Sequence, residues 1–167
     1  HAGHLSLIRI AAERSDQVVA TLFVNPAQFS LAEDFDAYPR NEDEDCRMFE
    51  EAGASLLFAP SVEEVYPAGH STKVHVEGLS SLLEGKFRPQ FLIGMATVVS
   101  KLLIQAMADL AVFGEKDYQQ LQVIRRMARD LDIPTEILGA PTIREYDGLA
   151  MSSRNRYLSA NERPQAG

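Results

Sequence analysis

A single cysteine, Cys46, stands among 167 residues, and that scarcity excludes an intramolecular disulfide. It fits a reducing cytoplasm, and its place in an Asp/Glu-rich helical stretch reads as a structural thiol. Long apolar runs are also scarce. The longest candidate, residues 95–113, is broken by Lys101, Gln105 and Asp109, so no stretch approaches the length needed to cross a bilayer, and no secretory signal opens the sequence. Positive charge is in deficit. A formal net charge of −8 argues against a nucleic-acid partner, because nonspecific phosphate binding needs a basic footprint. Any phosphate site must therefore be local.

What is present is a hydrophobic content of 46%, enough for one full core or an incomplete pair of domains. Helix and strand signals alternate along the chain. Leu5, Ile8 and Ala11 mark one face of a first helix, and the continuous run Val18-Val19-Ala20-Thr21-Leu22-Phe23-Val24 suits a buried strand that Asn25-Pro26 ends. Asn41 with Glu44 forms a capping-box pattern before a second helix, and Leu56-Leu57-Phe58 is the next strand. Ser61 with Glu64 repeats the box. Val74 and Val76 alternate with polar residues as a short strand, and Met95, Val98, Val99, Leu102 and Leu103 form the strongest helical stripe. Leu110 to Phe113 reads as a strand, a helix follows from about Asp117, and Pro134 resets the chain before a strand from Thr135 to Leu138. Ser159 with Glu162 is a third box. Short strands separated by helices indicate an α/β fold with a parallel sheet covered on both faces, whose ligands sit at the carboxyl ends of the strands.

That placement gathers scattered polar residues. His1-Ala2-Gly3-His4 opens an amphipathic helix, where a helix N-terminus attracts anions and each imidazole can donate to a phosphoryl oxygen. Gly3 removes a side chain where phosphate and backbone would collide. Asn25-Pro26-Ala27-Gln28-Phe29 follows one strand and Gly114-Glu115-Lys116-Asp117-Tyr118-Gln119-Gln120 follows another, so both should open onto one rim. Gly114 permits close backbone approach, Lys116 brings a mobile positive charge, and Asp117 is either a plain N-cap or a ribose ligand. Gln28 and Gln120 are neutral amides able to hold hydroxyl and carboxylate groups. Near the end, Asp147-Gly148-Leu149-Ala150-Met151-Ser152-Ser153-Arg154-Asn155 sets a turn before two hydroxyls and a guanidinium, the makings of a phosphate clamp.

With those segments in order, the chain resembles the pantoate:β-alanine ligase family of the nucleotidyltransferase superfamily with its His-x-Gly-His motif. The likeness is carried by His1-Ala2-Gly3-His4, Phe23-Val24-Asn25-Pro26-Ala27-Gln28-Phe29, Glu33-Asp34-Phe35-Asp36 with Tyr38-Pro39-Arg40, residues 113–120 and residues 147–155. It implies a Rossmann-like, doubly wound parallel sheet over residues 1–145, lacking its N-terminal strand, and a phosphate-clamp loop with the start of a C-terminal lid domain over 146–167. Most of that lid is expected to lie outside this sequence, as is the strand before His1. The resemblance further implies a cytoplasmic homodimer that uses ATP, Mg²⁺, pantoate and β-alanine, with no membrane or nucleic-acid partner.

By the same resemblance, His1, His4 and Lys116 are the catalytic groups. They bind ATP together with Gly114, Asp117, Ser152, Ser153 and Arg154, while Gln28, Gln120, Asn25 and Met151 line the pantoate site; metal ligands are not identified. The implied reaction adenylates pantoate and then transfers it to β-alanine, releasing pyrophosphate and AMP. One stretch departs from the family pattern: Arg88-Pro89-Gln90-Phe91-Leu92-Ile93-Gly94-Met95 has Gln90-Phe91 where many relatives have Gly-His, so an imidazole near the substrates is missing. Two alternatives remain open on sequence. One is a nucleotidyltransferase acting on a phosphate ester, which would have less need of the Gln28 and Gln120 amides. The other is a nonenzymatic ATP-binding module.

Overall fold

The computed structural model describes residues 1–29 and 41–167. The expected matches at residues 33–36 and 38–40 lie outside the described residues. Helix α1 (Ala2–Ala12) leads into strand β1 (Val19–Thr21), a 3-10 turn over Pro26–Gln28, α2 (Glu42–Glu51), β2 (Leu56–Phe58) and α3 (Val62–Val65). The chain continues through α4 (Glu84–Phe87), α5 (Pro89–Ala106), β3 (Leu110–Gly114), α6 (Tyr118–Asp130) and β4 (Glu136–Ala140). Short 3-10 turns over Ser153–Tyr157 and Arg163–Gln165 close the described chain.

The strands are parallel, as an α/β chain with helical crossovers requires. Among the described residues they form two ladders, β1 with β2 and β3 with β4, rather than one continuous sheet. Two apolar clusters follow that division. Ile8 of α1, Val18, Ala20 and Ala52 pack around β1 and β2, with Leu5, Phe49 and Leu57 against them. The larger cluster joins α5 and α6 to β3 and β4 through Leu92, Met95, Val123, Ile124 and Met127. Each of these five side chains is nearly solvent-free, worth about 1.5–3 kcal/mol of burial for a residue of this size.

Several expectations are corrected here. The apolar run at residues 18–24 forms only a three-residue ladder, because β2 offers only three residues opposite it. Beyond the ladder Leu22 N–H still reaches the Phe58 carbonyl. Val74 and Val76 form no strand; the Val74 N–H donates to the Thr97 hydroxyl of α5 (2.9 Å) instead of to a neighbouring strand. Asn41 starts α2 as expected but bonds the Glu44 side chain rather than a backbone N–H, so no capping box forms. The boxes at Ser61–Glu64 and Ser159–Glu162 do form. Cys46 is exposed, so packing does not account for it.

Helix α5 corrects the expectation about apolar length. It starts at Pro89, so Phe91, Leu92 and Ile93 precede Lys101, and with 18 residues and mean hydropathy 1.3 it is long and apolar enough to cross a bilayer by length and composition. Half of it is buried inside the protein, where residues 94–100 contact neighbours on every side. A helix hydrophobic all round is the mark of a core element.

Candidate active site

A cavity of about 590 Å³ lies between β1 and β3, walled by α1 and α5. Its lining is apolar along the strands and polar at the strand ends, where His4, Asn25, Gln28, Lys116, Asp117, Gln120 and Arg154 meet. Seven of the residues singled out from sequence thus line one space, though they come from segments more than a hundred positions apart.

His1 is the N-cap residue of α1, and no side chain caps the first-turn amides. Its ring stacks on His4 with centroids 3.8 Å apart and planes 24° apart. A side chain at Gly3 would place its Cβ 3.0 Å from the His1 ring, so glycine there keeps the stack close. His1 Nδ1 is buried without a partner among the described residues. Burial pushes the His4 pKa below its ordinary value, aided by the positive charge of Lys116. His4 is therefore a neutral hydrogen-bonding imidazole near pH 7.

Lys116 and Asp117 sit in the 3-10 turn that leaves β3, with Lys116 Nζ 3.4 Å from each Asp117 carboxylate oxygen. Asp117 precedes α6 but makes no side-chain cap bond, which removes the plain capping role as the account of its presence. A Cβ at Gly114 would meet no protein atom within 4 Å, so internal packing does not demand glycine there. Gln120 lines the cavity with no hydrogen bond to its amide among the described residues.

Asn25 is 3% exposed and serves as a hub. Its Nδ2 donates to Gln28 Oε1 (3.0 Å) and to the Gly94 carbonyl (3.1 Å). Its Oδ1 accepts from the Ala27 N–H (3.2 Å) and the Tyr66 hydroxyl (2.8 Å). The Asn25 amide is saturated, so Asn25 shapes the pocket rather than offering hydrogen bonds to a ligand. Gly94 is required by this contact: a Cβ there would lie 2.4 Å from the Ala27 carbonyl oxygen. Burial raises the Tyr66 pKa while the bond to Asn25 opposes that rise, so the phenol stays protonated and donates.

Residues 144–155 reach the cavity through Arg154. Arg144 bridges Ala150, and the Arg144 guanidinium donates to the Gly148 carbonyl across a turn in which Gly148 has φ of +96°. Arg163 grips Asp147 with two bonds (2.5 and 3.2 Å), and those bonds hold the Asp147 carboxyl below its usual range. Ser152 Oγ accepts from the Arg154 N–H and begins the turn containing Ser153. The Arg154 guanidinium lies 5.9 Å from the Phe29 ring centroid and reaches the cavity. Met151, Ser152, Ser153, Gly114 and His1 are not among the cavity-lining residues, although Met151 Cβ is close to Gly3.

Two contributors escaped the sequence reading. Tyr66 reaches Asn25 across 41 positions, which no local pattern announces. Arg88 donates to the Gln28 carbonyl (3.2 Å), pairs with Glu84 (2.8 Å) and stacks over Phe91 at 4.4 Å. Phe91 stands where an imidazole was expected and puts an apolar ring into the cavity wall.

Comparison with known proteins meets this geometry. The family model for pantoate-beta-alanine ligase matches residues 1–167. The chain belongs to the pantoate-beta-alanine ligase family. Pantothenate synthetase of Caulobacter vibrioides is 63% identical over 99% of the chain, and that of Hyphomonas neptunium is 57% identical over 100%. The chain spans 58% and 57% of those relatives' own lengths. Among solved ligases, pantothenate synthetase from Thermus thermophilus superposes with a TM-score of 0.97 at 53% identity, covering 99% of this chain and 60% of that one. The Francisella tularensis ligase, solved with beta-gamma ATP and beta-alanine, gives 0.91 at 38% identity over 96% of this chain and 62% of that one. This chain therefore carries the mixed α/β portion of that ligase architecture, with most of the C-terminal domain of those structures outside it.

Proposed function

We propose that the intact protein condenses pantoate with β-alanine at the expense of ATP, through a pantoyl adenylate. The observation that carries this reading is the convergence of His4, Lys116, Gln28 and Gln120 on one strand-end cavity in a chain of this ligase family. In the first step a pantoate carboxylate oxygen attacks the α-phosphorus of ATP, and the bond from that phosphorus to the bridging oxygen breaks, with pyrophosphate leaving on the electron pair. In the second, the β-alanine amine attacks the acyl carbon, the acyl–oxygen bond breaks, AMP leaves and the nitrogen loses a proton.

The roles follow from the chemistry of each group. His1, His4 and the uncapped first turn of α1 supply donors to phosphoryl oxygens. Lys116 balances charge on the phosphates, with Arg154 and the Ser152 and Ser153 hydroxyls of the same loop as further phosphate ligands. Asp117 and Gly114 face the ribose side, while Gln28, Gln120 and Met151 hold pantoate, with Asn25 behind Gln28. No covalent nucleophile is required, because orientation and charge stabilisation suffice for both steps.

Among the described residues no group of three ligating side chains could hold a metal ion. A Mg²⁺ carried by the triphosphate would neutralise phosphate charge there, and Asp117 is the carboxylate among the cavity-lining residues that could face it. A cytoplasmic homodimer built from residues 1–145 and a clamp-and-lid region beginning at 146 completes this reading. The test is product dependence in the intact protein. Pyrophosphate release should require pantoate and ATP, and AMP release should require β-alanine as well; AMP release that ignores pantoate would overturn the proposal.

A further inference from the structure

The orientation of the Asn25 amide follows from its neighbours alone. The Ala27 N–H can only donate, so the atom facing it is oxygen, and the Gly94 carbonyl can only accept, so the atom facing it is nitrogen. The second proton on Nδ2 then has one destination, Gln28, which must turn its own oxygen toward Asn25. The Gln28 amide nitrogen is left facing away from this hub, with no partner among the described residues. Tyr66 completes the arrangement by filling the remaining lone pair of Asn25 Oδ1.

Tyr66 is itself well held. It follows α3, whose capping box joins Ser61 and Glu64, and its ring meets His70 edge-on at 5.1 Å and Phe23 at 6.3 Å. Lys101 of α5 lies 5.5 Å from the ring centroid and donates to the Val65 carbonyl, fixing the end of α3. A rigid path therefore runs from the α3 cap through Tyr66 and Asn25 to Gln28.

We infer that Tyr66 is a positioning residue that, through Asn25, holds Gln28 with its amide nitrogen toward the acid substrate, so that Gln28 acts as a donor selective for carboxylate or hydroxyl oxygens. The inference rests on the reading of Gln28 as a pantoate ligand. Where Gln28 held this way faces the carboxylate, both acid oxygens accept its N–H, whereas the corresponding amide offers one acceptor and its –NH₂ in that place meets a donor. Selectivity for the acid over its amide thus runs through the Asn25 amide, which Ala27 and Gly94 orient and which the Tyr66 hydroxyl, 41 positions away in sequence, holds in place.

The experiment compares the intact wild-type protein with Tyr66→Phe, Asn25→Asp and Gln28→Ala, measuring KM for pantoate and ATP and inhibition by the primary amide of pantoate. Tyr66→Phe is expected to raise the pantoate KM about 5-fold, leave the ATP KM within about 2-fold, and narrow the acid-to-amide preference by a similar factor. Asn25→Asp removes both donors, turns Gln28 around and should narrow that preference at least ~10-fold. A merely structural Tyr66 would lower the melting temperature and leave the preference unchanged, which overturns the inference. If Gln28→Ala leaves pantoate use intact, the pocket reading itself fails; if it impairs pantoate use while Tyr66→Phe and Asn25→Asp preserve the preference, only the positioning inference fails.

Discussion

Replacing Lys116 with alanine tests the proposed phosphate-charge role apart from substrate binding. Among the described residues the ammonium has one weak partner, Asp117 at 3.4 Å, and its side chain is 38% exposed. A unit positive charge about 4 Å from a phosphoryl oxygen is worth roughly 4 kcal/mol at an effective dielectric of about 20. Partial exposure and salt screening reduce that to about 2–3 kcal/mol, or roughly 30- to 160-fold in kcat/KM for ATP in the adenylation half-reaction. The assay is single-turnover pyrophosphate release with pantoate and ATP and no β-alanine, beside direct titration of pantoate. Lys116→Ala should lose the rate and keep pantoate affinity. Lys116→Arg, which keeps the charge but not the compact ammonium, should fall between. A near-normal adenylation rate in the alanine variant, or an equal loss of pantoate affinity, would refute the assignment.

Three further outcomes follow from the same geometry. Gln28→Ala and Gln120→Ala should each raise the pantoate KM by about 10-fold or more while changing ATP affinity less than about 2-fold, read by separate titrations. Gly94→Ala should cost about 1–3 kcal/mol in thermal or denaturant unfolding, because the added Cβ falls 2.4 Å from the Ala27 carbonyl oxygen and pushes apart α5 and the turn that carries Gln28. Acid should expose His4: its folded pKa lies below the unfolded value of about 6.5, so its contribution to stability is complete above that pH and is lost as pH falls through the lowered folded pKa. The melting temperature of wild type should accordingly fall more steeply below about pH 6.5 than that of His4→Gln, and equal slopes would remove His4 as the cause.

Periodicity and turn chemistry made much of the fold legible. The stripe on α5, the run at β3 and the two capping boxes that form are local patterns, and local patterns are written in neighbouring residues. What depends on a distant partner was not legible. Residues 18–24 have strand composition throughout, yet the ladder is set by what lies opposite, and Val74 alternates like a strand residue while its N–H belongs to Thr97. The same distinction governs the candidate site. Residues at strand ends could be gathered by the parallel-sheet rule, so Gln28, Lys116, Asp117 and Gln120 were read as a set, while His4 was read from a helix N-terminus; all five line the cavity. Asn25 was read as lining the same cavity, and the structure adds that its amide is fully engaged there. Tyr66 and Arg88 act by contacts across 41 and 60 positions and left no local signature.

The central claim is that pantoate is activated by bonding one of its own carboxylate oxygens to the α-phosphorus of ATP. The most direct measurement supplies the intact protein with pantoate labelled with oxygen-18 in the carboxylate, unlabelled ATP and β-alanine, and reads each product by mass spectrometry. One labelled oxygen should appear in AMP, none in pyrophosphate, and one should remain in the amide carbonyl of the product. AMP without label, or label in pyrophosphate, would contradict the account.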